Sequence, residues 1–188
     1  MISFGFDSTA GTILPIVIQN VGLFSQTGNS TPVTNTTSEQ TLIDSGVGTL
    51  SVPANTFIIG DAFKINMLGH VTCQNNKTLR IRVKTNSVVL GDTGVINMPQ
   101  TNDKHWSLDI NFAIRQVGVP GVASICSAAV FTFSKDASNA FEGADFVTIE
   151  NTNFNTTILN TLDITAQWGN ASVANSIYTN ILNLYKIY

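Results

Sequence analysis

The chain has 188 residues, enough for one domain that buries roughly two-thirds of its unfolded surface and needs no staple to fold. Charged residues are 11% and hydrophobic residues 43%, with net charge −3 and pI near 5.1; Asn, Thr and Ser take the place of Lys and Glu. The acidic balance excludes a general nucleic-acid binder, which needs a basic footprint, and no apolar run reaches the ~18 residues of a membrane span.

Residues 1–36 stand apart as an N-terminal arm and linker. They hold Phe4, Phe6, the run Ile13 to Ile18 and the pair Leu23-Phe24, then the polar stretch Thr27 to Thr37. The run Ile13 to Ile18 is short and contains Pro15. No Lys or Arg occurs before Lys64, so a secretory leader is not expected. From residue 37 to 188 strand signals recur, and this span is expected to be a single domain. Thr41 to Ser45 and Leu50 to Val52 are short strands, and Gly60-Asp61 is a turn. Ala62 to Cys73 is a long strand, and Gln74 to Lys77 is expected to be a hairpin connection. Thr78 to Lys84 alternates cleanly, with Leu79, Ile81 and Val83 inward and Arg80, Arg82 and Lys84 outward. Asn86-Ser87 and Gly91 to Gly94 are turns around Val88 to Leu90, and Val95 to Met98 follows.

Trp106 to Arg115 reads W-S-L-D-I-N-F-A-I-R. Trp106, Leu108, Ile110, Phe112 and Ile114 share one parity, and Ser107, Asp109, Asn111, Ala113 and Arg115 the other. Successive side chains on a strand point to opposite faces, so this strand has one greasy and one wet face. Gly118 to Gly121 is a tight turn, Val122 to Ser134 a strand, Lys135 to Asp145 a loop, and Phe146 to Ile149 a short strand. Thr157 to Trp168 is a strand with Ile158, Leu162, Ile164, Ala166 and Trp168 on one parity. Asn175 to Tyr188 is apolar on both: Ile177, Ile181, Tyr185 and Ile187 against Tyr178, Leu182, Leu184 and Tyr188. A strand greasy on both faces suggests burial against a partner, or a central position under the N-terminal segment. Tyr178, Leu182, Leu184 and Tyr188 are therefore the candidate subunit interface. With no convincing helix and turns roughly every 8–12 residues, the fold class is all-β: an antiparallel two-sheet sandwich of jelly-roll topology. An immunoglobulin-like sandwich is the alternative, but the Cys…Trp…Cys arrangement is missing.

Candidate chemistry is sparse. His70 and His105 are the only histidines and have no Cys or carboxylate at metal-ligand spacing, so both read as surface residues. No G-x-S-x-G elbow marks a nucleophile. Asp136, Glu142 and Asp145 share a loop and could offer oxygen ligands to a cation, but their spacing is not that of an EF-hand and a solvated loop is favoured. Arg80, Arg82 and Lys84 form a candidate basic patch for an acidic glycan or neighbour. The favoured reading pairs them with carboxylates such as Asp109 on an adjacent strand. Trp106 and Trp168 fall on inward parity and read as core. Cys73 points inward and Cys126 outward, so both are expected as free thiols. The sequons at Asn29, Asn35, Asn76, Asn155 and Asn170 arise easily in a chain rich in Asn and Thr.

Four phrases in order, T-S-E-Q-T-L-I (Thr37 to Ile43), V-P-A-N-T-F-I-I-G-D (Val52 to Asp61), K-T-L-R-I-R-V-K (Lys77 to Lys84) and L-D-I-T-A-Q-W-G-N-A-S (Leu162 to Ser172), resemble small jelly-roll domains in structural proteins of phages and other double-stranded DNA viruses. Such domains serve as fibre, spike, decoration or minor capsid components and are often homotrimers. The resemblance implies a non-enzymatic virion protein, assembled with itself and with other capsid proteins, without a cofactor or defined catalytic residues. The alternative is a carbohydrate- or receptor-binding module on the same sandwich, with a host surface glycan as partner.

Overall fold

The computed structural model describes residues 2–6, 13–17, 21–136, 138 and 140–187, the first two stretches by their backbone alone and Ile149 without its side chain. The described strands are β1 (Ile2–Phe6), β2 (Ile13–Val17), β3 (Val21–Gln26), β4 (Val33–Thr34), β5 (Gln40–Thr41), β6 (Gly46–Gly48), β7 (Ser51–Val52), β8 (Ala62–Cys73), β9 (Lys77–Thr85), β10 (Val88–Asp92), β11 (Ile96–Met98), β12 (Thr101–Gln116), β13 (Ser124–Ser134), β14 (Phe141–Asn151), β15 (Asn160–Trp168) and β16 (Ser176–Lys186). The β1–β2 pair is a separate hairpin; the others form two sheets.

The large sheet runs β14-β13-β12-β8-β16-β3-β6, and the small one β10-β9-β15-β5 with β11 on β9 and β7 on β15. Number β3, β5, β8, β9, β10, β12, β15 and β16 as first to eighth. The central sheet orders are then 1-8-3-6 and 2-7-4-5, the interleaved Greek keys of a jelly roll. The β13–β14 hairpin is an insertion that widens the large sheet. The expected hairpin at Gln74 to Lys77 is instead a crossover. β8 pairs with β12 and β16, while β9 pairs with β15 and β10, so the chain changes sheet between them.

Alternation fills the space between the sheets. β8 contributes Phe63, Ile65, Met67, Val71 and Cys73, β9 Leu79, Ile81 and Val83, and β12 its expected greasy face from Trp106 to Ile114. Trp106 and Trp168 are both buried, and each indole N–H has an acceptor: Trp168 donates to the Val33 carbonyl at 2.8 Å. At one edge the large sheet curls onto the small one. Ser127 donates to the Leu90 carbonyl, Asn151 to that of Val89 at 2.7 Å, and the Phe146 ring lies where Gly91 has no side chain. A Cβ at Gly91 would stand 1.9 Å from that ring, so the seam requires glycine.

Two expectations are corrected. First, the sandwich includes residues assigned above to the arm and linker. β3 and β4 both hydrogen-bond to β16, and Ser30 and Val33 are buried, so the expected boundary at residue 36 falls in the connection between β4 of the large sheet and β5 of the small one. Second, β16, central between β8 and β3, has one buried face and not two. Thr179 pairs with Gly69 and Ile181 with Leu68, leaving Asn180 as a one-residue bulge. An extra residue flips the side-chain parity beyond it. Ile177 and Thr179 point inward before the bulge, Leu182 and Leu184 after it, and Ile181 is exposed. The apparent double greasiness is one inward face read across a shifted register.

Cys73 and Cys126 are free thiols, the first buried and the second half-buried. Burial pushes the Cys73 thiol up to about 11, against a smaller opposing pull from the Lys77 charge. Thiolate is the reactive form. Iodoacetamide at pH 8 is therefore expected to alkylate Cys126 well before Cys73 in the folded protein, and both at similar rates in urea, as intact-mass and peptide mapping will show. Equal labelling in the folded state would contradict this placement.

Candidate functional site

The outer face of the large sheet gathers three ring side chains the sequence keeps far apart. In register, Tyr178 of β16 stands opposite His70 of β8, and His70 opposite His105 of β12. The His70 ring stacks on Tyr178 with centroids 5.8 Å apart and planes 22° apart, and meets the His105 ring edge-on at 6.1 Å and 82°. Asp103 completes the group. It lies where the β12 register shifts between Thr101 and Lys104, with φ of 48° to 60° characteristic of this chain's left-handed Asn and Asp residues; its own is 50°. Asp tolerates that conformation better than most residues. Its N–H donates to Thr72 Oγ1 at 3.0 Å, and its Oδ1 lies 2.8 Å from His70 Nδ1.

The backbone beneath is fixed from inside. The bulge at Asn180 turns carbonyls out of the ladder, and the Trp106 indole N–H donates to those of both His70 and Tyr178 at 3.1 Å. Gly69 permits this approach: a Cβ there would stand 2.0 Å from the Tyr178 oxygen and 2.8 Å from Trp106 Nε1. Ser30 closes the bulge by exchanging hydrogen bonds with Thr179 at 2.9 Å in each direction. Polar rows continue across the same face. Asn66 donates to Asp109, Ser25 to Asn183 at 2.9 Å, and Ser107 shares a 2.8 Å bond with Thr132. The face thus combines ring surfaces with a fixed carboxylate, amides and hydroxyls.

The other candidates are placed as follows. Tyr178 is half-buried in the ring group, Leu182 and Leu184 belong to the core, and Tyr188 lies outside the described residues. Leu182 and Leu184 are buried between the two sheets of the chain itself. The row Arg80, Arg82 and Lys84 lies on the outer face of the small sheet and shares two carboxylates. Arg80 grips Asp92, Arg82 lies 2.8 Å from Glu39 and 3.5 Å from Asp92, and Lys84 lies 2.8 Å from Glu39. Pairing with carboxylates was expected, but Asp109 is not one of them; it sits on the other sheet, beside Asn66. Asp136, Glu142 and Asp145 do not converge, because residues 141–151 are strand rather than loop. Asp136 caps the Asn102 N–H and approaches Lys104, and Glu142 pairs with Lys135. Among the described residues no group of three or more His, Cys, Asp or Glu could hold a metal ion, and no helix is long and apolar enough to cross a membrane.

Burial pushes the Glu39 carboxyl up, but hydrogen bonds from Lys84 and Thr165 and the charges of Lys84 and Arg82 outweigh it and hold it below the usual range. Asp92 is likewise raised by burial but lowered further by Arg80, the Gly94 N–H and Arg82. A carboxyl whose folded pKa is depressed contributes stability above its unfolded value, about 4.3 for Glu and 3.9 for Asp, and loses it as pH falls through the folded value. Thermal stability is expected to hold down to about pH 4 and to fall below it. Arg82→Gln, which removes a cation from both carboxyls, is expected to move that acid limb to higher pH in melts followed by circular dichroism. An unmoved limb would show that the pair does not govern acid stability.

No family model matches the chain, and no curated protein matches it. Among solved structures it is similar to the CBM2 module of the evolved Dit of Lactobacillus casei BL23 phage J-1, at 10% identity and TM-score 0.36 over 99% of this chain and 80% of that one. It is also similar to a legume lectin-like domain from Entamoeba histolytica, at 11% identity and TM-score 0.31 over 76% of this chain and 77% of that one.

Proposed function

We propose that this chain is a non-enzymatic jelly-roll recognition module that binds carbohydrate across the row Tyr178, His70 and His105. The observation that carries the reading is the register-aligned ring row with Asp103 locked at its edge. Ring faces pack against the C–H faces of a pyranose, while a carboxylate and an imidazole held 2.8 Å apart offer an acceptor and a donor to neighbouring hydroxyls. The His70–Asp103 pair stands on an open sheet whose backbone N–H groups are spent in the ladder, so an oxyanion formed there would meet few donors. That favours binding over hydrolysis.

The test is a glycan array followed by calorimetry on the best ligand. Wild type is expected to bind, Tyr178→Ala to lose at least tenfold in affinity with an unchanged far-ultraviolet spectrum, and His70→Ala to lose a comparable amount. Equal binding by wild type and both variants, or none by wild type, would overturn the reading.

A second reading, a virion structural subunit forming homotrimers and contacting other capsid proteins, is favoured by the β13–β14 insertion. Val130 and Val147 are diagonal neighbours on its outer face, 51% and 63% exposed, and Phe141 stands 75% exposed at the start of the edge strand β14, apolar surface at a sheet edge of the kind that subunit contacts cover. Light scattering during size exclusion tests it: a trimer that Phe141→Glu converts to monomer supports it, and a wild-type monomer at micromolar concentration counts against it.

A further inference from the structure

One end of the sandwich carries an opening that neither reading uses. Between the sheets lies a cleft of about 360 Å³, whose inner wall includes Phe63, Phe112, Phe154, Leu90, Ile125 and Leu162. That volume is within the range of small-ligand sites, which are mostly apolar with a few placed polar groups. Here the charged groups are Asp61 and Lys186. Asp61 is almost fully buried at 3% exposure, takes the Ile58 N–H on Oδ2 at 3.1 Å, and holds Lys186 Nζ on Oδ1 at 2.6 Å. Lys186 remains partly exposed, and an ammonium has three donors, so its contact with Asp61 leaves capacity for a ligand oxygen.

The surface around the opening is equally distinctive. Three loops meet at this end, tied by Gly60 N–H to the Ile114 carbonyl, Gly118 N–H to Thr156 and Gly121 N–H to the Thr152 carbonyl. Residues 53–60, 117–123 and 151–160 contain no Asp, Glu, Lys or Arg. They expose Ile58 and Ile59, Val119 and Val122, and Ile158 and Leu159. Of these loops Pro53, Thr56, Phe57, Phe154 and Asn160 line the cleft, so its loop side carries no charge, and the charged groups in its lining are Asp61 and the partly exposed Lys186.

We propose that the cleft binds a single-chain amphiphile, a free fatty acid, with its hydrocarbon tail between the two sheets among Phe63, Phe112 and Phe154 and its carboxylate at Lys186. Phe63 and Phe112 rise from the large sheet, Leu90 and Leu162 face them from the small one, and Phe154 closes the loop side. The tail thus lies against apolar side chains of both sheets, and the head stays at the opening. An anionic head is favoured over a cationic one because the partly exposed group there is Lys186, whereas Asp61 is buried behind it. The site is remote from the ring row in function and independent of the carbohydrate reading.

The experiment is a thermal melt of the full chain with dodecanoate below its micellar concentration. At about a hundredfold excess over Kd the midpoint is expected to rise by roughly 5–10 °C. Butyrate, which has the head without the tail, should give no shift; dodecanol and dodecyltrimethylammonium should give smaller ones. Leu162→Trp and Leu23→Trp each plug the cleft from a partly buried position and should abolish the dodecanoate shift; two plugs guard against one failing to fold. The double variant Asp61→Asn with Lys186→Met should keep tail binding but lose the preference for dodecanoate over dodecanol. No shift with dodecanoate, or a shift that survives both folded plugs, overturns the site. Equal shifts with the cationic and anionic heads overturn the role of Lys186. Co-flotation with phosphatidylcholine vesicles in the absence of free acid would assign the uncharged end to a bilayer surface and overturn the free-ligand reading.

Discussion

Trp106→Ala is expected to lower the unfolding free energy by roughly 4–6 kcal/mol. Truncating a fully buried Trp or Phe costs about 3–5 kcal/mol through lost transfer energy and the cavity left behind. Trp106 is fully buried, packed against Phe131 with ring centroids 5.8 Å apart. Its indole N–H also serves the carbonyls of His70 and Tyr178, and stranding buried acceptors adds about 1–3 kcal/mol unless water replaces the donor. Since single domains are stable by only about 5–15 kcal/mol, the variant should stand near the edge of folding at 37 °C. Trp106→Phe separates the two contributions: it keeps most of the ring volume and loses the donor, and should cost about 1–3 kcal/mol. Urea unfolding followed by circular dichroism measures both. A loss below about 2 kcal/mol for the alanine variant would mean that the core closes over the gap and that Trp106 does not hold the bulged strands together. The phenylalanine variant also tests the link to the outer face. If Trp106 sets the backbone under His70 and Tyr178, carbohydrate binding should weaken in a protein that is still folded.

How much of this was legible in the sequence depends on the distance over which each feature is determined. The strands Ala62–Cys73 and Trp106–Ile114, the inward Trp pair and the outward row of Arg80, Arg82 and Lys84 follow from local alternation, and the structure has them where alternation puts them. The two-sheet sandwich follows from strand number and spacing. What local alternation cannot carry is register. The extra residue at Asn180 leaves both parities of β16 looking apolar, so a bulged strand with one inward face reads as a strand with two. The crossover at Gln74 to Lys77 carries turn residues indistinguishable from those of a hairpin; which sheet β9 joins is decided by its pairing with β15, far along the chain.

The ring row was hidden for the same reason. His70 read as an outward surface residue and Tyr178 as part of a candidate interface, yet nothing local places them on neighbouring strands at the same height. His105 read as preceding a strand, whereas β12 begins at Thr101 and carries it into register with His70. Asp103 gave a faint signal: an Asn-Asp pair after Thr101 marks a place where a left-handed residue is tolerated, and the structure uses it to break the β12 register. The polar stretch Thr27 to Thr37 misled in the opposite direction. Its Ser and Asn residues look like linker, but Ser30 is buried and spends both backbone and side chain on the bulge at Thr179. Polar composition marks a linker only when the polar groups face water, and here they replace missing ladder bonds.

Lys186→Met is expected to cost roughly 3 kcal/mol, while the double variant with Asp61→Asn should lie within about 1 kcal/mol of wild type. The asymmetry follows from burial. Lys186 is partly exposed and its removal sacrifices little hydration, but it strands the Asp61 carboxylate, which is 3% exposed. Removing one partner of a buried pair typically costs about 3–5 kcal/mol, and the exposure of Lys186 puts this pair at the lower end. An amide at position 61 can still accept the Ile58 N–H while carrying no charge, so the second change removes the penalty that the first creates. A double-mutant cycle in urea therefore returns a coupling of about 2–3 kcal/mol. Additive losses would mean that the carboxylate is solvated through the cleft in the absence of Lys186. In that case water reaches the inner end of the opening, and the apolar walls around Phe63 and Phe112 are wet rather than dry. A strong coupling means the converse: the Asp61 carboxylate is shielded from water and depends on Lys186, whose partly exposed ammonium is then the charge that a ligand carboxylate meets at the opening.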